Sequence, residues 1–375
     1  MPGVVRNFFR STFFLFNILA AVWLVGCYMA SVTNPVTIRY LSLLSLTTPF
    51  AIFVNFCFAL FWLFTQGKWR SVLSFVLLVI FYKLVFTIYG VHFGKNDMAN
   101  GEYKLKVMTW NVHGLGIYDR PVDKSRPEKI CQFIESQNPD ILCLPEFYTN
   151  WDDAMKPYSK KFLTEGHFKE YRFIYDNTLG TKIYIGTAFF SKYPLNHFQE
   201  VELAQNIKML QCDVNLPRNN TMRVYFIHLQ SFMLMDKDKA IIEDVKHRNK
   251  SLELDRSKSY MRKFNTAYEK RASQVEAALS YINRSPYPVL ICGDLNDLPG
   301  SYTYTKLKGD LKDAFAEKGW GLGRTYNQIL PTLRIDYILY DPQLLQIRGF
   351  YSPTLSLSDH NPVIANFEIA PKPRR

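Results

Sequence analysis

The chain has 375 residues, of which 48% are apolar, 15% aromatic and 21% charged. That is material for about two or three domains of roughly 150 residues, and it excludes a small disulfide scaffold and a disordered chain. The formal net charge of +12 divides evenly, because the first 99 residues carry Arg6, Arg10, Arg39, Lys68, Arg70, Lys83 and Lys95 against one acid, Asp97. The remainder suits an anionic substrate or membrane surface as well as it suits a solvated lysine-rich face, so charge alone selects no function.

In chain order, three apolar runs come first, at about 12–32, 40–64 and 71–93. At 1.5 Å per residue about 20 residues cross a bilayer core of about 30 Å, so each run predicts a transmembrane helix. A cleaved signal peptide does not account for the first run, since two more follow it. Pro49 and Lys83 lie inside the runs; Lys83 is read as snorkelling or facing the bundle, and so few polar groups argue against a transporter. Arg6 and Arg10, with Lys68 and Arg70, outweigh Arg39, which places the N-terminus inside. Three crossings then put everything after Phe93 on the periplasmic or extracellular side of an integral, multi-pass inner (cell) membrane protein. Residues 1–99 form a membrane region whose partner is the lipid bilayer, 100–370 a soluble domain, and no protein partner is predicted.

After a polar connector, Gly94 to Gly101, short β-rich runs alternate with helical stretches. Strands are predicted at 105–110, 141–144, 171–175, 183–190, 209–214, 223–228, 289–292, 334–340 and 363–367, and helices at 126–136 and from about Asp236 to Ile282, which together predict an α/β sandwich. Asp236 to Tyr268 is charged and reads as a mostly solvated helix, and Pro371 to Arg375 as a frayed tail. Cys143 and Cys292 fall in strand-like stretches, and the six cysteines show no zinc spacing.

Polar clusters gather where the strands stop: Thr109-Trp110-Asn111-Val112-His113-Gly114, Leu144-Pro145-Glu146, His228-Leu229-Gln230-Ser231, Gly293-Asp294-Leu295-Asn296-Asp297, Arg334-Ile335-Asp336-Tyr337 and Ser358-Asp359-His360-Asn361-Pro362. Singly, each has an ordinary explanation: a turn or cap for Asn111, Asp294 and Asn296, a surface ion pair for Asp336, a structural histidine for His228. Together they supply carboxylates, carboxamides and histidines without a nucleophilic Ser or Cys context; G-x-S-x-G is missing. Oxygen donors with neutral amides suit a hard cation, Mg²⁺ or Mn²⁺, and a hard cation beside Asp and His serves in-line attack of water on a phosphoester.

In this order the six clusters resemble the endonuclease/exonuclease/phosphatase superfamily, which includes deoxyribonucleases, abasic-site endonucleases, neutral sphingomyelinases and inositol polyphosphate phosphatases. The resemblance covers about residues 103–369 and leaves out the membrane front. It implies a four-layer α/β sandwich of two packed mixed β-sheets flanked by helices. It also implies that Asn111, Glu146 and Asp359 are metal-site residues, Glu146 the principal one, although Pro145 stands where many members have Gln. Asp294 resembles the residue that orients or deprotonates the attacking water, and Asn296 its phosphate- or metal-contacting neighbour. His228 resembles the phosphate-binding or leaving-group histidine, and Asp336 with His360 the paired acid and imidazole; both histidines stay candidates for the general acid.

Six further residues are weighed beside these. Arg271 with Gln274 either faces the site or forms a surface ion pair, Tyr302 and Tyr304 read as core, His113 as a strand end, and His247 as exposed. The expected function is a membrane-anchored, Mg²⁺-dependent phosphoester hydrolase acting on nucleic acid or on a phospholipid or small phosphodiester; the alternative is a non-catalytic binding protein that retains the fold.

Overall fold

The computed structural model describes residues 3–65, 67–93, 104–118, 121–150, 157–179, 183–232, 250–328 and 332–371. The connector Gly94–Gly101, the start of the predicted long helix from Asp236 to Asn249 with His247, and the tail from Lys372 lie outside them. The chain divides into two compact units, one of residues 1–89, 240–272 and 298–306, the other of 90–239, 273–297 and 307–375.

In the first unit, helices run over Gly3–Val32, Thr48–Leu63, Ser71–Ile80 and Tyr82–Ile88. Asn7–Val32 and Leu41–Leu63 are long and apolar enough to cross a membrane; Lys68–Ile80 and Tyr82–Ile88 form a third candidate only as a pair bent by 72°. Apolarity runs straight through this break at Phe81, which is why the sequence reads there as one helix. Pro49 falls in the first turn of its helix, where the missing N–H has no intrahelical partner to lose. The bundle is the inverse of a soluble one. Val22, Phe53, Phe56 and Phe75 are each more than half exposed, and Lys83 also faces outward, whereas Asn17, Asn55 and Ser74 are buried. Ser74 Oγ meets Asn17 Oδ1 at 2.6 Å and Asn55 Oδ1 at 3.0 Å, and Asn55 Nδ2 donates to the Ala20 and Ala51 carbonyls, so three helices share one satisfied polar contact.

The helix Lys250–Ile282 contributes its first part to this unit. Residues 258–264 are largely exposed, but Asn265, Ala267 and Tyr268 are buried. Asn265 Oδ1 accepts from the Tyr40 N–H at 2.8 Å, and the Tyr268 and Ser45 hydroxyls meet at 2.9 Å. The charged stretch is therefore solvated only in part.

The second unit carries the strands β1 (Gly90–Val91), β2 (Lys104–Thr109), β3 (Ile141–Asn150), β4 (Glu170–Leu179), β5 (Ile183–Ser191), β6 (Leu195–Ala204), β7 (Ile207–Leu216), β8 (Asn220–His228), β9 (Val289–Asp294), β10 (Lys312–Asp313), β11 (Trp320–Gly321), β12 (Asp336–Tyr340), β13 (Leu345–Tyr351) and β14 (Val363–Ile369). Two six-stranded sheets result, in the orders β13-β14-β2-β3-β5-β4 and β10-β12-β9-β8-β7-β6, with β1 and β11 as a separate ribbon. Both sheets are mixed. Each has one parallel pair, β2 with β3 and β8 with β9, among antiparallel neighbours.

Alternation along the strands builds the layers. Leu105, Val107, Cys143 and Phe189 share a core with Cys212, Val224, Phe226, Leu290 and Cys292 of the other sheet. On the outer face Met108, Leu142 and Phe190 pack with Ile130 and Ile134 of the helix Arg126–Gln137 and with Phe162 of the helix Pro157–Thr164. The Tyr225 hydroxyl donates to the Tyr281 carbonyl at 3.2 Å, tying β8 to the C-terminal part of the long helix, the fourth layer. The edge strands β6 and β13 escape a reading by pattern because neither alternates regularly: β6 is exposed over five consecutive residues, and β13 mixes exposed, half-buried and buried positions.

Between the parallel strands β8 and β9 one glycine is obligatory. Gly293 has φ 137°, and a Cβ there would lie 2.1 Å from the Ile227 carbonyl oxygen. Gly293→Ala is expected to destabilise the domain by on the order of 3 kcal/mol, measured by chemical denaturation, because strained backbone and a backbone clash add.

Candidate active site

The pairing registers bring the site to one end of both sheets. His228 and Asp294, the last residues of β8 and β9, lie side by side, and Asp336, which opens antiparallel β12, pairs with Asp294. In the other sheet Val363 pairs with Thr109, so the residues just before β14 and just after β2 meet at the same end. That juxtaposition sets His360 and Asp359 near Asn111. Two β-bulges complete the set: the register slips between Leu144 and Phe147 in β3 and between Tyr175 and Asn177 in β4, releasing Glu146 and Asp176 from their ladders. Glu146 takes the left-handed φ of 52°, and Asn296 one of 50°.

A continuous polar chain links these residues. Asn111 Nδ2 donates to Glu146 Oε1 at 2.9 Å and to Asp294 Oδ2 at 3.1 Å. His360 Nδ1 lies 2.9 Å from Asp336 Oδ2, and its Nε2 is 3.8 Å from Asp294 Oδ2. The Asn296 N–H donates to Asp294 Oδ1 at 2.7 Å, while Asn296 Nδ2 donates to the Leu229 carbonyl. His228 stands 4.0 Å from Glu146 and 3.9 Å from Asp176. The frame around His360 is rigid. Its carbonyl accepts from Trp110 Nε1 at 2.9 Å, its N–H donates to Ser358 Oγ, which donates in turn to the Asn111 carbonyl, and Tyr326 packs edge-to-face on its ring.

All eight residues singled out from the sequence thus lie at this end of the domain. His113 does more than end a strand: its Nδ1 is 3.7 Å from Glu146 and 3.5 Å from Asp359, and Tyr118 packs on its ring. Asp176 and Tyr326 have no local signal, since a bulge exposes one and a loop carries the other. The surface ion-pair reading of Arg271 and Gln274 is corrected, as both are buried. Arg271 stacks on Tyr268, and Gln274 accepts from the Gln230 N–H at 3.1 Å, two residues beyond His228. Tyr302 and Tyr304 are buried, as core residues are.

Crowded charge shifts the titrations. Burial opposes ionisation of Glu146, but the neighbouring His113 and His228 rings and the hydrogen bond from the Asn111 amide outweigh it and hold the group at about 2. Burial disfavours charged His360, yet Asp336 and Asp294 raise it to about 10; for His228 the same balance with Asp176, Asp294 and Glu146 gives about 9. Asp294 is pushed up to about 6 by burial and by the Asp336 charge, against the pull of His360 and His228. An unfolded histidine titrates near 6.5. The stabilisation from both protonated rings is therefore complete below about pH 6.5 and lost as pH rises through about 9 and 10. Metal-free protein is expected to lose stability steadily from pH 7 to 10 in urea titrations; a flat profile would contradict these shifts.

The donor set suits a divalent cation. Among the described residues the buried group whose ligand atoms converge, within 4.8 Å of one another, is Asp294, Asp336 and His360; Glu146, Asp359 and the Asn111 carboxamide are further hard oxygen donors at the same end of the domain. Within that group Asp336 Oδ1 is buried without a hydrogen-bond partner.

Residues 108–360 match the Endonuclease/Exonuclease/phosphatase family. The chain belongs to this family. Residues 10–88 match a family described only as a domain of unknown function. No curated protein matches. Among solved structures, the chain is similar to the endonuclease/exonuclease/phosphatase from Beutenbergia cavernae DSM 12333, at a TM-score of 0.51 and 17% identity over 72% of each chain. It is similar to the human Nocturnin catalytic domain with bound sulfate anion, at 0.51 and 16% over 72% of this chain and 95% of that one. It is also similar to an endonuclease/exonuclease/phosphatase family protein from Leptotrichia buccalis C-1013-b, at 0.50 and 14% over 70% and 99%. These likenesses establish the fold. The two mixed sheets flanked by helices are those of the endonuclease/exonuclease/phosphatase family, a phosphoesterase fold typically dependent on a divalent metal.

Proposed function

We propose that this chain is a membrane-anchored phosphodiesterase that cleaves its substrate by in-line attack of water. The carrying observation is the row Asp336, His360, Asp294: one carboxylate fixes Nδ1 of the imidazole at 2.9 Å, and the other faces its Nε2 at 3.8 Å. Asp294 orients the water and takes its proton, a role that its elevated titration near 6 suits. With Nδ1–H committed to Asp336, His360 offers Nε2–H to the charge that develops on phosphate, and His228 presents a second protonated ring, steadied by Asp176. Both imidazoles remain candidates for protonating the leaving oxygen. Asn296, bonded through its backbone and its carboxamide, keeps Asp294 in place beside the phosphate. Glu146, Asn111 and Asp359 would hold Mg²⁺ or Mn²⁺, which when bound neutralises phosphate oxygens and favours departure of the leaving oxygen.

In this reading residues 1–99 are the anchor and 100–370 the catalytic domain. The basic flanks place the N-terminus inside and the domain on the periplasmic or extracellular side. The substrate is a nucleic acid or a phospholipid or small phosphodiester. Retention of Glu146, His228, Asp294 and His360 favours catalysis over the non-catalytic binding protein.

Full-length protein in detergent, offered duplex DNA, RNA, sphingomyelin, phosphoinositides and a chromogenic diester with Mg²⁺, is expected to turn over one class and to lose that activity in EDTA. Turnover that survives EDTA overturns the metal assignment. Absence of turnover throughout the panel favours the binding protein.

A further inference from the structure

The second unit keeps an aromatic pair on its surface. Phe93 is 84% exposed and Trp320 60%, and their rings meet edge-to-face with centroids 4.6 Å apart. Val91, paired with Trp320 across the β1–β11 ribbon, is 43% exposed. Isolated apolar residues on a surface are ordinary, but an edge-to-face Phe and Trp pair beside an exposed Val at the ribbon marks a contact surface. The ribbon opens two residues after Ile88, the last residue of the apolar helices.

We propose that Val91, Phe93 and Trp320 form a membrane-interface patch, seated at headgroup level in the same bilayer that holds the N-terminal helices. The proposal rests on the anchored reading above and adds a second point of attachment. Its occupant follows from chain continuity: in that reading the segment carrying Val91 and Phe93 emerges from the bilayer at its surface, where aromatic side chains with one apolar and one wet side are favoured.

Because the ribbon belongs to the catalytic unit, its seating has a consequence for the site. From Trp320 the chain reaches Tyr326, whose ring packs on His360, in six residues. On the way Thr325 Oγ1 accepts from the Ile335 and Asp336 N–H groups at 2.9 and 3.2 Å. One short segment therefore joins the patch to the Asp336–His360 pair.

The test uses full-length protein labelled with 5-fluorotryptophan in lipid nanodiscs, with the Trp320 ¹⁹F line assigned by Trp320→Phe. Nitroxide-bearing lipid is then added, labelled at a shallow acyl position. The Trp320 line is expected to broaden several-fold, together with those of Trp23, Trp62 and Trp69. If those three broaden and Trp320 stays sharp, the patch is refuted and the anchor stands. If none of them broadens, the anchored reading itself fails. A Trp320 line that ignores the nitroxide lipid but responds to a second protein copy per disc assigns the patch to self-association and overturns the proposal.

Discussion

Asp294→Asn is expected to lower kcat by about 10²–10⁴-fold, the range a positioned general base supplies, with the melting temperature little changed. The amide keeps the shape of the carboxylate, and its carbonyl oxygen still accepts from the Asn296 N–H, a bond now 2.7 Å long. What disappears is the negative charge that, in the proposed mechanism, takes the proton of the attacking water. Losing it removes a like charge beside Asp336 but also the attraction to the charged His360 and His228 rings, opposing changes that leave the net effect on folding small. Steady-state turnover of the preferred diester, beside a thermal melt, decides the matter: parent-level turnover in this variant would remove Asp294 from the assignment.

His360→Ala is expected to differ in kind, abolishing activity and also destabilising the fold by about 3–5 kcal/mol, the cost of breaking a buried charge pair from one side. The Asp336 side chain is fully buried and one of its oxygens already lacks a hydrogen-bond partner, so removal of the ring strands its charge. Adding Asp336→Asn to His360→Ala should recover much of that stability while the protein stays inactive, since a neutral amide tolerates the site better than an unpaired carboxylate. Urea denaturation of the parent, both single variants and the double variant measures the coupling. A His360→Ala protein as stable as the parent would show that the pair carries no structural charge balance.

Much of this molecule is legible residue by residue. Hydropathy alone marks the apolar helices, since about 20 uncharged apolar residues have few other uses. The six polar clusters are equally local. Asn111, His228, Asp294, Asp336 and His360 each stand at or beside a strand terminus, Glu146 stands at a bulge inside β3, and the order of the clusters along the chain points to the family to which residues 108–360 belong.

Partners distant in the chain decided the rest. Strand register ejects Asp176 from β4 and turns it toward His228, and nothing within β4 announces a bulge whose position depends on β5. His113 became a bridge between Glu146 and Asp359 because a turn after β2 meets a bulge in β3 and the approach to β14. For Arg271 and Gln274 the sequence leaves a site-facing and a surface reading open, and tertiary packing buries both. The sequence by itself determined which segments are apolar, which are strands and which residues carry chemistry, because those are properties of side chains and short periods. Only the tertiary structure decided which of those residues meet and how they titrate, because distance, burial and charge pairing arise from contacts between segments far apart in the chain.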